Sequence, residues 1–134
     1  MNVFVSHSGV DNKWAERFRA GLCHAGFEVW DPASDLPPGT NYHLELGKAL
    51  ERSDAMIVLL SPDSVKSPSV LSEIDYALSS PQFRDRLISV LLRPTREIPW
   101  ILQKLQHIRA TKDVSQTVDR VVAALEKSPV TTSR

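Results

Sequence analysis

The sequence predicts an α/β domain: a flavodoxin-like three-layer sandwich in which a five-stranded parallel sheet carries helices on both faces. Short apolar stretches alternate along the chain with segments whose apolar residues recur every three or four positions, as in strands joined by helices. Two stretches, 55–60 and 87–92, are apolar almost throughout, which is typical of parallel strands covered on both faces. Right-handed crossovers then favour the strand order 2-1-3-4-5.

Each element follows from its own pattern. The predicted strands cover 3–5, 27–30, 55–60, 87–92 and 107–110, and the predicted helices cover 12–25, 42–52, 69–78, 98–105 and 114–126. Between the second strand and the second helix, residues 31–41 contain three prolines and a glycine, so we predict a surface loop without regular structure. The domain is expected to span 1–127. Residues 128–134 have the composition of a frayed tail or of a linker to a further domain.

Composition excludes several classes of function. The 134 residues suit one domain, and 16 basic against 16 acidic side chains give no field to attract nucleic acid. The single cysteine, Cys23, cannot form an internal disulfide, which fits a reducing, cytoplasmic setting. No apolar run reaches the roughly 18 residues that a membrane span needs. We therefore expect neither a nucleic-acid nor a membrane partner.

Polar residues follow the first strands at the points where they end. Ser6, His7 and Ser8 close the first strand, and Trp30 and Asp31 close the second. Since the carboxyl ends of parallel strands meet at one edge of the sheet, the loops there are expected to form a cleft. From its position alone, Trp30 is equally a core residue or the wall of a site for a flat ligand.

Glu73 lies in the predicted helix 69–78. Its apolar residues Leu71, Ile74 and Leu78 are spaced as one buried stripe, and Glu73 points about 200° away from Leu71. This places the carboxylate towards the loops or water, where an ordinary glutamate is simply solvated. On that basis Glu73→Ala is expected to leave stability nearly unchanged.

Several familiar active sites are excluded by spacing. The residues after the first strand lack the glycine patterns of a phosphate-binding loop or a dinucleotide turn, and no Gly-x-Ser-x-Gly elbow occurs. The four histidines are scattered, so no metal site is expected. A receiver domain, which ranks last among the alternatives, would need clustered acids where this chain has Ser-His-Ser.

Taken together, the motifs resemble Toll/interleukin receptor (TIR) domains of the bacterial type. Val3-Phe-Val-Ser-His-Ser8 resembles the first signature of that family, which often reads Phe-x-Ser-His-Ser in bacterial members. Phe27-Glu-Val-Trp-Asp31 with Leu36-Pro-Pro-Gly39 resembles the second strand and its long loop. Leu59-Leu-Ser-Pro62 with Ser67-Pro-Ser-Val-Leu-Ser-Glu73 resembles the third strand and the helix that bears the family's catalytic glutamate.

The resemblance implies an NAD+ hydrolase that cleaves the bond between nicotinamide and ribose and releases ADP-ribose or a cyclic form. NAD+ would be the substrate, with no cofactor. Glu73 would be the catalytic residue, and the expected substrate-binding residues are Ser6, His7, Ser8, Trp30, Asp31, Leu36 and Ser69. The chain would be the effector domain of a bacterial immune or signalling protein, activated when copies associate through TIR–TIR contacts and joined to a C-terminal sensor domain.

One departure from the family pattern favours an alternative. TIR domains commonly have Trp four residues before the glutamate and often Cys three before it, whereas this chain has Ser69 and Val70. Adaptor members of the family are not enzymes. The alternative function is therefore a non-catalytic TIR domain that acts as a scaffold for protein–protein interaction.

Overall fold

A single sheet of five parallel strands forms the middle layer of the protein. The computed structural model describes residues 1–36, 39, 41–104 and 106–127, apart from the side chains of Ala33 and Ser34. The strands are β1 (Asn2–Ser6), β2 (Glu28–Trp30), β3 (Ala55–Leu60), β4 (Leu87–Leu91) and β5 (Gln106–Arg109). Their order across the sheet is β2-β1-β3-β4-β5, and every neighbouring pair is parallel. The predicted flavodoxin-like topology is confirmed.

Helices cover both faces of this sheet. They are α1 (Asn12–His24), α2 (Pro32–Asp35), α3 (Tyr42–Arg52), α4 (Pro68–Leu78), α5 (Trp100–Lys104) and α6 (Val114–Lys127), and single 3₁₀ turns occur at Gly9–Asp11, Ser64–Lys66 and Pro81–Phe83. On one face, α1 and α6 pack over the strands through Phe18, Leu22 and Val121. On the other, α3, α4 and α5 pack through residues that include Leu50, Ile74 and Leu102. The three predicted layers are therefore present.

The central strand β3 is covered on both sides, as its apolar sequence predicts. All six of its residues are fully buried, with odd-numbered side chains in one core and even-numbered ones in the other. Burying a strand on both faces removes the need for alternating polar residues, since neither face meets water. The strand therefore anchors both layers of helices.

The segment predicted to be irregular, 31–41, contains one short helix. α2 begins at Pro32, because a proline fits the first turn of a helix, where its missing N–H is not needed. The Asp35 side chain accepts a hydrogen bond from the Asp31 amide at 2.9 Å and pairs with Arg19 of α1. The expectation of no regular structure was thus wrong for 32–35. Positions 37, 38 and 40 lie outside the described residues, as do residue 105 and the predicted tail, 128–134.

Candidate active site

The carboxyl ends of β1 and β2 bring the first candidate residues together. Ser6 is the last residue of β1, His7 and Ser8 follow it, and Asp31 follows β2. β1 and β2 are neighbours in register, with Phe4 opposite Trp30, so their next residues emerge side by side. The sheet topology thus places the polar ends of two strands at one edge, as the sequence predicts.

Glu73 lies against this edge because α4 presents a different face from the one predicted. The buried residues of α4 are Val70, Glu73, Ile74 and Ala77, which are spaced as one helical stripe. Leu78, which was assigned to the buried stripe, is 42% exposed. The predicted stripe was right for Ile74, which is buried, and Leu71 packs against the core in part. It was wrong for Leu78 and for an exposed Glu73, because the smaller Val70 and Ala77 fit against the sheet. Glu73 is only 4% exposed and is not a surface residue.

A buried hydrogen bond joins Glu73 to the end of β1. The Ser6 hydroxyl, which is fully buried, donates to Glu73 Oε1 at 2.6 Å. Burial raises the pKa of Glu73 to about 7, although the Ser6 hydrogen bond and the nearby positive charge of His7 lower it, and Asp31 adds a smaller upward effect. The site therefore holds a carboxyl group that changes protonation state near neutral pH.

His7 and Asp31 form a buried ion pair beside Glu73. His7 Nε2 lies 2.8 Å from Asp31 Oδ1, and the two side chains are 2% and 1% exposed. His7 Nδ1 lies 2.7 Å from the Ser8 carbonyl oxygen, which can only accept. Both ring nitrogens therefore face acceptors, an arrangement that the doubly protonated ring satisfies. Burial lowers the pKa of His7, but these hydrogen bonds and the charges of Asp31 and Asp11 outweigh it and raise the pKa overall.

The remaining predicted residues lie in the same region with different surroundings. Trp30 is partly buried, and its ring stacks on Phe4 with 5.4 Å between centroids and 23° between planes, so one ring face is already occupied. Leu36 is partly buried beyond α2. Ser69 is exposed in the first turn of α4, four residues before Glu73, and makes no hydrogen bond to the part of the site that the structure describes.

A second polar cluster at the same edge was not anticipated. Asp11 is 2% exposed, and its carboxylate accepts hydrogen bonds from the hydroxyls of Ser61 at 2.5 Å and Ser8 at 3.1 Å. Arg93, two residues after β4, donates to Asp11 Oδ1 at 2.8 Å and lies 3.6 Å from Asp63. Ser61 and Arg93 are 50 and 82 residues from Asp11 in sequence, so no local pattern indicated the cluster.

A cavity of about 620 Å³ lies at the opposite edge of the sheet. The end of α4, the start of β4 and the helix α5 form its walls, with Phe83 and Leu87 among the lining residues. None of the candidate residues lines it. We place the candidate site at the carboxyl edge because the buried titratable groups lie there, and cavity size alone does not indicate chemistry.

The described residues offer neither a metal site nor a membrane-spanning helix. Within 1–36, 39, 41–104 and 106–127, no three His, Cys, Asp or Glu side chains are grouped so that they could hold a metal ion. In the same residues, no helix combines the length and apolar character that a membrane span requires.

Comparisons with known proteins identify the family. The family model described as "TIR domain" matches residues 3–125. Among solved structures, the TIR domain of the Toll-related receptor TRR-2 from Hydra magnipapillata is 25% identical, covers 90% of this chain and 94% of its own, and has a TM-score of 0.74.

Two more distant structures share the fold. A prokaryotic SEFIR domain is 12% identical, with a TM-score of 0.71 over 99% of this chain and 97% of its own. The RPS4 and RRS1 TIR domain heterodimer is 14% identical, with a TM-score of 0.66 over 96% of each chain. No curated protein matches the sequence significantly. Because the family model covers nearly the whole chain, this protein belongs to the TIR domain family.

Proposed function

We propose that this TIR domain is an NAD+ hydrolase that cleaves the bond between nicotinamide and ribose and releases nicotinamide and ADP-ribose or its cyclic form. The observation that carries the proposal is the buried Glu73 carboxyl group, held at 2.6 Å by Ser6 where the polar strand ends meet. Strongly perturbed titratable groups at the carboxyl edge of an α/β sheet are typical of functional sites.

One carboxylate suffices for this reaction. Glycoside cleavage usually needs a second carboxyl group, because the leaving oxygen must be protonated. Nicotinamide leaves as a neutral molecule from a cationic pyridinium, so it needs no acid. The remaining task is to stabilise the positive charge that develops on the ribose, and an ionised Glu73 next to the sugar does this electrostatically.

The protonation of Glu73 fits a cationic substrate. With a pKa of about 7, Glu73 is present in both protonation states at neutral pH. A pyridinium cation that enters the site favours the ionised form, since an opposite charge within a few ångströms lowers the pKa of a carboxyl group. Substrate binding would thus produce the charged state that the transition state needs.

Substrate contacts are assigned by position. Ser6, His7, Ser8 and Asp31 would contact the polar parts of NAD+, and the face of Trp30 that does not stack on Phe4 would stack on a flat ring. Leu36 and Ser69 would line the entrance from the loop after α2 and from the start of α4.

The burial of Glu73 would make the activity of the domain depend on assembly. Because Glu73 is 4% exposed, the sugar reaches it only after neighbouring groups move. Association with further copies through TIR–TIR contacts would supply that movement, and the RPS4–RRS1 heterodimer shows that TIR domains of similar fold pair with each other. We place the protein in the bacterial cytoplasm as an effector domain followed by a sensor domain, with no direct contact to nucleic acid or membrane.

A second candidate, a non-catalytic scaffold, is favoured by the same burial. Glu73 is closed off, Trp30 already stacks on Phe4, and Ser69 and Val70 depart from the family pattern. In a scaffold, Glu73 would only be a buried polar residue bonded to Ser6.

Release of nicotinamide from NAD+ distinguishes the two candidates. The concentrated domain, free and fused to an oligomeric carrier that enforces clustering, is incubated with NAD+, and free nicotinamide is measured by chromatography. We expect release from the clustered protein that is lost in Glu73→Gln, whose shape preserves the Ser6 hydrogen bond. Asp75→Asn, on the exposed side of the same helix, is the matched control and should retain activity. No release from the clustered wild type would favour the scaffold.

A further inference from the structure

The Asp11 cluster is connected to His7 through Ser8. The Ser8 carbonyl oxygen accepts from His7 Nδ1 at 2.7 Å and from the Asp11 amide at 3.0 Å. The Ser8 hydroxyl donates to the Asp11 carboxylate. Asp11 therefore fixes both the backbone and the side chain of the residue that orients the His7 ring.

Arg93 holds this arrangement from outside the site. Its side chain is 40% exposed, and it reaches the buried Asp11 carboxylate from the end of β4 at 2.8 Å. Ser61, at the end of β3, bonds to the other carboxylate oxygen. The ends of two strands, β3 and β4, are thus tied to the turn that follows β1 and His7. Arg93 has no hydrogen bond to Glu73, His7 or Asp31 in the described residues.

Charges from several elements act on the His7 ring. Asp31 after β2 binds Nε2, Glu73 faces it from α4, and Asp11 acts from the 3₁₀ turn. Arg93 neutralises part of the Asp11 charge, and Asp63 lies on the far side of Arg93. Behind Asp31, the Arg19–Asp35 pair is internally neutral.

We propose that Asp11 and Arg93 are positioning residues that set the orientation and charge of His7 in the active site. Asp11 is buried, and its carboxylate is bonded to Ser8, Ser61 and Arg93. Asp11 anchors Ser8 and stabilises the positive ring, while Arg93 limits the negative charge that Asp11 exerts. The catalytic meaning of the pair rests on the NAD+ hydrolysis proposed above, but the coupling to His7 can be measured without turnover.

Proton NMR titration of the histidine rings tests the coupling. The chain has four histidines, and His7→Gln identifies the His7 signal by its absence. In Asp11→Asn, loss of the negative charge should lower the His7 titration midpoint. In Arg93→Gln, the unneutralised Asp11 should raise it. Asp63→Asn, the exposed partner of the same arginine, is the matched control and should leave the midpoint in place.

Shifts of opposite sign in the two variants would support the proposal, since a purely structural disturbance has no reason to follow charge. Shifts of the same sign, or none, would overturn it. If Asp11→Asn does not fold, Arg93→Gln decides alone: a raised midpoint supports the proposal and an unchanged one refutes it.

The effect of Arg93 on catalysis is tested separately from its effect on the His7 titration. Where the wild type releases nicotinamide, the pH at which the rate is half-maximal should move in Arg93→Gln and stay in Asp63→Asn. An unmoved profile would overturn the catalytic part of the proposal. If release does not depend on Glu73, the proposed function fails, whereas the His7 titration still decides the coupling.

Discussion

Replacing Glu73 by glutamine should stabilise the protein at alkaline pH. The wild-type carboxyl group has an ordinary pKa of 4.5 when unfolded and about 7 when folded. Between these values the folded state binds more protons than the unfolded state, so stability falls as the pH rises from about 4.5 to about 7. Glutamine keeps the hydrogen bond from Ser6 and does not titrate, so Glu73→Gln should lack this loss.

The magnitude follows from the two pKa values. Their difference corresponds to a loss of about 3 kcal/mol of unfolding free energy in the wild type. The loss is complete above pH 8 and is absent near pH 4. For a domain of this size that is about 10 °C in Tm. The expectation that residue 73 would not affect stability was wrong in its premise, since Glu73 is buried.

Urea unfolding of the wild type and Glu73→Gln at pH 4.5, 6 and 8 measures this effect. The variant should be about as stable as the wild type at pH 4.5 and increasingly more stable towards pH 8. Asp75→Asn, an exposed change on the same helix, should show no such trend. If Glu73→Gln is equally or less stable than the wild type at pH 8, the argument that burial raises the pKa is refuted.

Three further substitutions test other parts of the structure. His7→Gln removes the cation of a buried pair and should cost about 3 kcal/mol at pH 6 by urea unfolding. Because the pKa of His7 is raised, its stabilisation is complete below pH 6.5 and is lost as pH rises through the folded pKa, so the cost should be smaller at pH 9. Gly21→Ala would place a Cβ 2.6 Å from Val118 Cγ1 and should lower stability by about 1–2 kcal/mol in thermal unfolding. Ser67→Ala removes the N-terminal cap of α4 and should cost about 1 kcal/mol, seen as faster amide exchange in its first turn.

A different result would contradict each of these three predictions. An equal cost of His7→Gln at pH 6 and pH 9 would contradict the buried ion pair. Gly47→Ala, in the middle of α3 with open space around the added Cβ, is the control for Gly21→Ala and should raise stability by up to about 1 kcal/mol. If both alanines stabilise, α1 and α6 are less tightly packed than the structure indicates. Uniform exchange throughout α4 in Ser67→Ala would rule out a local capping effect.

The fold could be predicted because its signals are local. The strand Ala55–Leu60 and the helix Tyr42–Arg52 have the predicted bounds, since a fully apolar run and a clean helical stripe each allow one assignment. The short helix at Pro32–Asp35 was missed because its proline was counted only as a helix breaker, although proline is also favoured in a first turn.

The candidate site could be predicted in part. Strand ends at a parallel edge placed Ser6, His7 and Asp31 near one another, and the structure brings them together with Glu73. The burial of Glu73 could not be foreseen, because polarity argues for an exposed carboxylate unless its partner, Ser6, is known to lie opposite. Asp11 and Arg93 were not predicted as site residues, because a contact between residues far apart in the sequence produces no periodic sequence pattern.

The two edge strands of the sheet are short. Its outermost strands, β2 and β5, contain three and four residues, whereas the longest and most apolar strand is enclosed at the centre. Unpaired backbone groups along an edge strand allow the sheets of different molecules to pair edge to edge, and these two short strands offer few such groups. Molecules crowded together on a carrier should thus meet through helices and loops and stay in solution, so a crowded assay would report on ordered assembly and not on precipitation.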